Sequence, residues 1–395
     1  MTGRRRGILS GALALTLALG PATAAEAAPA LRDDPPKCEP ERGGTKVGDP
    51  WGQRRLNFTA VWPITEGEGV TVAIVDTGVD PRHPQLKLAK QIDLTNTYPF
   101  DCIGHGTAVA GIIAGADMRQ LKIPFAGVAP KARLISIKQT NQTDKGDVGL
   151  LAKGIIQAAD LGAQVVNVSI QAHDQPDLKA AVDYALAKDV VIVAAAGNIR
   201  KEDGVPAPAY PAAYPGVLSV GATGPDGKVT DFSNSSAPVS VLAPGTEITS
   251  TWTGSAYRQD LSGTSYAAPY VAGVAALVRA RHPELDNVRV RRRIEITADG
   301  ASGKTPGIVN PLLAVTKILP SEVVAIAPRQ PAALPSGIVS KAPAPDTETI
   351  NRSVGVAMIA MLAAALVSAA GLVIPLGRRR RWKPGRTAVP SEPGR

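Results

Sequence analysis

A chain of 395 residues, 44% hydrophobic and 19% charged, is long enough to bury a large core, which excludes disordered and fibrous classes. Its formal net charge is +9, yet Arg4, Arg5 and Arg6 plus the seven basic residues of 377–395, set against Glu392, account for all of it. The residues between are net neutral, so the basic balance gives no argument for a nucleic-acid partner.

Residues 1–27 carry a positive start (Arg4 to Arg6), an apolar run (Ile8 to Leu19) and small-residue sites at Ala22-Thr23-Ala24 or Ala25-Glu26-Ala27. That order predicts a secretory signal peptide, too short to span a bilayer. Residues 28–60 are read as an N-terminal extension, and 61–319 as one large domain. Within that domain, continuous apolar, β-branched runs predict buried strands at Val70–Val75, Leu134–Ile137, Val165–Ile170, Val190–Ala194, Val217–Val220 and Val239–Leu242. Helical patterns at Val148–Leu161 and Leu178–Lys188 fall between them. Strand and helix in this rhythm imply an α/β fold, a doubly wound parallel sheet flanked by helices, with ligands at the carboxyl ends of strands.

Residues 320–353 contain Pro320, Pro328, Pro331, Pro335, Pro343 and Pro345 without sustained periodicity, and read as an extended stalk. Val354 to Leu376 runs without a charge at a length that suits one transmembrane helix. Arg378 to Arg381, Lys383 and Arg386 follow, so residues 377–395 are expected on the cytoplasmic side, leaving the domain outside a single-pass cell-membrane anchor.

Three residues invite an acid–base reading. Asp76 ends the first clear strand, His105 stands between Gly104 and Gly106 before an apolar helix, and Ser265 opens another. Singly they read as a turn former, a cap or core histidine, and an N-cap. Together they supply what a serine nucleophile needs: a base to take its proton and an anion to hold that base. Asn198, ending VVIVAAAGN, is placed to donate its amide to a developing oxyanion.

The stretches AIVDTGVD, GHGTAVAGIIAG, AAAGN and LSGTSYAAPYVAGVAAL, in that order, resemble the subtilisin-like serine peptidases from about Val70 to Ala314; DFSNSSAPVSVLAPG (231–245) fits as well. The Asp, His, Ser chain order is the subtilisin order. The resemblance implies that Asp76, His105 and Ser265 are catalytic and that Asn198 completes the oxyanion hole. It further implies that Val168, Ser169 and Ile170 form a substrate-binding strand, to which a peptide adds by β-pairing. Pro269, inside the first turns of the serine helix, matches the family and removes a backbone donor that is expected to have no partner there.

Signal, extension, peptidase body, stalk, span and basic tail in this order, with a start reading PWGQRRLNFTAVWPITEGEGVTVAIVDTGVD (50–80), resemble the mycosins, membrane-anchored proteases of type VII secretion systems. Residues 28–60 are too short for a folded inhibitory pro-domain and are read as a permanent wrap around the body. The resemblance implies that no self-cleavage is needed. Asp117 to Gly127 is short where many mycosins carry an insertion. Cys38 and Cys102, the chain's two cysteines, are expected to pair in an exported setting and to pin the extension near His105; the second bridge that many mycosins carry is missing. His83, His173 and His282 lack ligand spacing, no clustered carboxylate loop suggests calcium, and neither a metal nor a cofactor is implied. Two functions remain: an endopeptidase acting on protein or peptide outside the membrane, or chiefly a structural subunit of a secretion membrane complex.

Overall fold

The computed structural model describes residues 37–142, 146–199, 206–303, 305–322 and 345–381. The stretch read as a signal peptide, residues 28–36 of the stretch read as an extension, and most of those read as stalk and basic tail lie outside these residues. The chain divides into two compact units, Met1–Val323 and Val324–Arg395.

In the first unit the order is α1 (Trp51–Leu56), β1 (Thr71–Asp76), β2 (Leu88–Asp93), α2 (His105–Ala114), β3 (Arg133–Lys138), α3 (Val148–Asp160), β4 (Val165–Val168), α4 (Pro176–Ala187) and β5 (Val191–Ala195). It continues with β6 (Leu218–Thr223), β7 (Val241–Pro244), β8 (Ile248–Trp252), β9 (Ala256–Leu261), α5 (Thr264–Arg281), α6 (Asn287–Thr297) and α7 (Pro311–Thr316). Seven strands form a parallel sheet in the order β2-β3-β1-β4-β5-β6-β7, and β8 and β9 form an antiparallel hairpin. β1, β4, β5, β6 and β7 are buried along their whole length, as continuous apolar runs in a doubly covered sheet should be.

The chain leaves β1 toward β2 and β3 on one side, then places β4 on the other. The carboxyl ends of β1 and β4 therefore flank a switch point, where α/β folds hold ligands. One core cluster unites α2 and α5 with one face of the sheet, and a second unites α3 and α4 with the other. Fifteen of the 18 residues of α5 are buried, as expected of a helix apolar all round.

Some boundaries differ from the sequence reading. β4 ends at Val168, so Ser169 and Ile170 lie past the strand. β7 starts at Val241, and α4 starts at Pro176, where proline suits the first helical position. β2 escaped notice because LAKQID, a half-exposed edge strand, has no apolar run. The hairpin escaped because its buried residues include Thr249, Ser250 and Thr251. Within the stretch read as extension, α1 contributes Trp51 and Leu56 to the core, with Phe58 just beyond it.

In the second unit, α8 (Thr347–Arg379) encloses the uncharged 354–376 stretch and is capped by Asp346, which accepts from the Glu348 and Thr349 amides. Its 33 residues span about 50 Å at 1.5 Å per residue, and by length and composition it is a membrane-span candidate.

Candidate active site

Asp76 is the last residue of β1 and is fully buried. His105 is the first residue of α2, delivered by Gly104, whose φ of 102° favours glycine. Their side chains meet: His105 Nδ1 lies 2.7 Å from Asp76 Oδ1, which also accepts the Thr77 amide at 2.7 Å. Burial opposes the imidazolium, but the Asp76 charge and hydrogen bond, with the Asp101 charge behind them, raise the His105 pKa above its ordinary value.

Ser265 is the second residue of α5 and lines one cleft with His105, Ser169, Gln171 and Asn198. Asn198 Oδ1 accepts from the Thr264 amide at 2.9 Å and from Thr264 Oγ1 at 3.0 Å. Its oxygen is thereby committed to the helix start, leaving Nδ2 as the donor on the cleft side. A Cβ on Gly263 would stand 3.0 Å from Ser265 Oγ and 3.3 Å from Asn198 Nδ2, so the two groups face one small volume that glycine keeps open.

The stretch Val168, Ser169 and Ile170 divides in its roles. Val168 and Ile170 are buried, while Ser169 Oγ donates to the Ser265 carbonyl at 2.8 Å and accepts from Asn167 Nδ2 at 2.9 Å. This bond also corrects the reading of Pro269. Pro269 is the sixth residue of α5, past the four donors that lack helical partners, so it removes a bond that the Ser265 carbonyl would otherwise accept. Ser169 fills that place from the sheet.

Cys38 and Cys102 are bridged, with Cα atoms 4.9 Å apart. The extension continues along the hairpin: Gly44 exchanges both backbone hydrogen bonds with Tyr257 at 2.8 Å, and the Glu41 carbonyl accepts Trp252 Nε1 at 2.7 Å. The Trp252 ring lies against Gly104, where an added Cβ would come within 2.3 Å of it. The extension, the hairpin and the histidine loop thus form one packed layer.

Tyr266 was not singled out from sequence. Its ring is tilted against His105 at 5.3 Å, and burial, then the Asp76 charge, raises its pKa. Asp101 was missed as well, although an aspartate four residues before a helix start is a local signal for backbone capture. Among the described residues, no three His, Cys, Asp or Glu come together as metal ligands.

A buried carboxylate–imidazole pair opening onto a serine at a helix start is an arrangement able to activate a hydroxyl. The Subtilase family model matches residues 67–318. The chain belongs to the subtilase family. This subtilase is 36% identical to mycosin-3 of Mycobacterium tuberculosis (strain ATCC 25618 / H37Rv), with 92% of this chain and 94% of that protein covered, which sets it among the mycosins. It is 40% identical to a thermophilic serine proteinase of Bacillus sp. (strain AK1) over 65% of this chain and 63% of that one, just under two thirds of that relative's length. The solved structure of the MycP3 protease from the type VII (ESX-3) secretion system is 34% identical, with a TM-score of 0.60, covering 73% of this subtilase and 98% of that chain. The subtilase and mycosin matches support a serine endopeptidase activity.

Proposed function

We propose that this subtilase is a serine endopeptidase with an Asp76–His105–Ser265 triad, anchored by α8 in the cell membrane with its domain outside, the 377–395 tail inside, and a role in type VII secretion. The observation carrying the reading is the buried 2.7 Å contact between Asp76 and His105, in a cleft shared with Ser265 and Asn198. Asp76 holds the Nδ1–H tautomer and stabilises the imidazolium; Nε2 takes the Ser265 proton as Oγ attacks the peptide carbonyl. Asn198 Nδ2 and the Ser265 amide then donate to the oxyanion, and the positive end of α5 favours the same charge. His105 returns the proton to the leaving amine, and water releases the acyl group by the same steps.

The remaining assignments support one exported, tethered enzyme: 1–27 as signal peptide, 28–60 as extension, 61–319 as peptidase domain, 320–353 as stalk and 354–376 as span. The secretion role rests on the near full-length match to mycosin-3 and on the similarity to a protease named for a type VII system. A second reading, a structural subunit of that membrane complex with proteolysis secondary, draws on the bridged extension and the exposed apolar helix α8, which substrate cleavage does not require.

The decisive variant is Ser265→Ala in the full chain. It should lose fluorophosphonate labelling and peptide cleavage, by about a million-fold in turnover, with folding retained. Labelling that persists at another residue refutes the triad. If the variant also supports secretion as well as the wild type, the structural reading gains.

A further inference from the structure

We propose that Asp101 is a second carboxylate of this site, a positioning residue that straps the end of β1 to the start of α2 and adds its negative charge to that of Asp76 behind His105. This rests on the triad reading above.

Asp101 is buried, with 1% of its surface exposed, and accepts five hydrogen bonds. Oδ1 takes Thr77 Oγ1, the Ile103 amide and the Gly104 amide, each at 2.9 Å. Oδ2 takes the Thr107 amide at 2.9 Å and Thr107 Oγ1 at 2.7 Å. These partners bracket the catalytic pair: Thr77 follows Asp76, while Gly104 and Thr107 flank His105. The two hydroxyls are also engaged from the other side. Thr77 Oγ1 accepts the Gly106 amide at 3.0 Å, and Thr107 Oγ1 accepts the Asp80 amide at 3.0 Å. Each hydroxyl donates its own proton to Asp101.

Burial pushes the Asp101 carboxyl upward, and its hydrogen bonds, those of Gly104 and Thr107 foremost, oppose this. Every partner is a donor, and a neutral carboxyl would need an acceptor for its own proton, so the ionised form fits the geometry. A cation that senses Asp101 is Lys138 of β3, whose Nζ donates to the Phe100 carbonyl at 3.0 Å. Asp76 from β1 and Asp101 from the preceding loop act on His105, and the Tyr266 ring from α5 packs against it; Arg258 from β9 lies over the Trp252 ring and its charge reaches Tyr266. Two negative charges against one imidazole favour the imidazolium formed during acyl transfer.

The test is Asp101→Asn in the full-length protein, followed by fluorophosphonate labelling and peptide hydrolysis across pH. Loss of a negative charge should move the acid limb of kcat/KM to lower pH by about half a unit or more, with kcat down at least about tenfold and KM little changed. A lower plateau with an unmoved acid limb, or wild-type behaviour throughout, overturns the proposal. Should Asp101→Asn not fold, Thr77→Val keeps the charge and cuts the strap. Its kcat should fall with the acid limb in place, and an unchanged kcat refutes the strap. Failure of the triad itself is distinguishable, since labelling would then survive Ser265→Ala.

Discussion

Acidification should weaken this fold through His83, a histidine outside the active site. His83 is 1% exposed and joins the loop after β1 to the hairpin: Nε2–H donates to the Ala256 carbonyl at 3.1 Å, Nδ1 accepts the Gln85 amide at 3.3 Å, and the ring meets Tyr257 edge-on at 5.1 Å. This pattern uses the neutral ring completely. A second ring proton would confront the Gln85 N–H. Burial lowers the pKa from 6.5 to about 4, opposed by the Ala256 bond and the Asp80 charge. Because the folded value is depressed, the unfolded chain binds more protons between pH 6.5 and 4, and stability is lost as pH falls through that window. By pH 4 the loss is about 3 kcal/mol, at about 1.36 kcal/mol for each pH unit between the unfolded and folded values. His105 acts in the opposite sense: its raised pKa gives stability that is full below the unfolded value and lost as pH rises through the folded one. The assay is urea unfolding of the full-length protein followed by tryptophan fluorescence, at steps from pH 7 to 4. His83→Gln removes the titrating group, so its stability should vary less with pH than the wild type's by about 3 kcal/mol. Parallel curves for the two proteins would refute the reasoning.

Reduction of the Cys38–Cys102 bridge releases a closure of 64 residues in sequence, worth about 4 kcal/mol in the chain-entropy model. The body's unfolding midpoint should fall accordingly, and trypsin should reach Lys37, Arg42 and Lys46 sooner. Asn198→Ala removes the proposed oxyanion donor and the acceptor for the Thr264 amide. Turnover should fall about a hundred- to a thousand-fold with KM nearly unchanged, and a variant within twofold of wild type would exclude Asn198 from the hole. Gly104→Ala puts a methyl within 2.3 Å of Trp252 at a φ of 102°. Activity should fall more than stability as the His105 loop shifts, and a crystal structure of the variant with the loop unmoved would contradict this.

The site motifs were legible because the chemistry is local to short segments. Asp76 ends a strand with no polar interruption, and His105 and Ser265 open helices rich in small residues, so each could be placed at an element end from sequence. Asn198 was found the same way, at the end of a buried run. What escaped was carried by residues whose local pattern is ambiguous. Asp101 gains its role only when Thr77, Gly104 and Thr107 converge on it, and His83 only when the hairpin covers it.

By itself the sequence determined the alternation of buried strands and helices, the apolar stretch inside α8, the pairing of its two cysteines and the segment ends that bear Asp76, His105, Asn198 and Ser265. Periodicity and end signals are properties of neighbouring residues, so they survive without a fold. Only the tertiary structure decided that β4 stops at Val168, that Ser169 serves the Ser265 carbonyl left free by Pro269, that the extension pairs with β9, and that Asp101 braces the histidine. These depend on partners distant along the chain, such as Ser169 with Ser265 and Glu41 with Trp252, and no local pattern encodes which distant groups will meet.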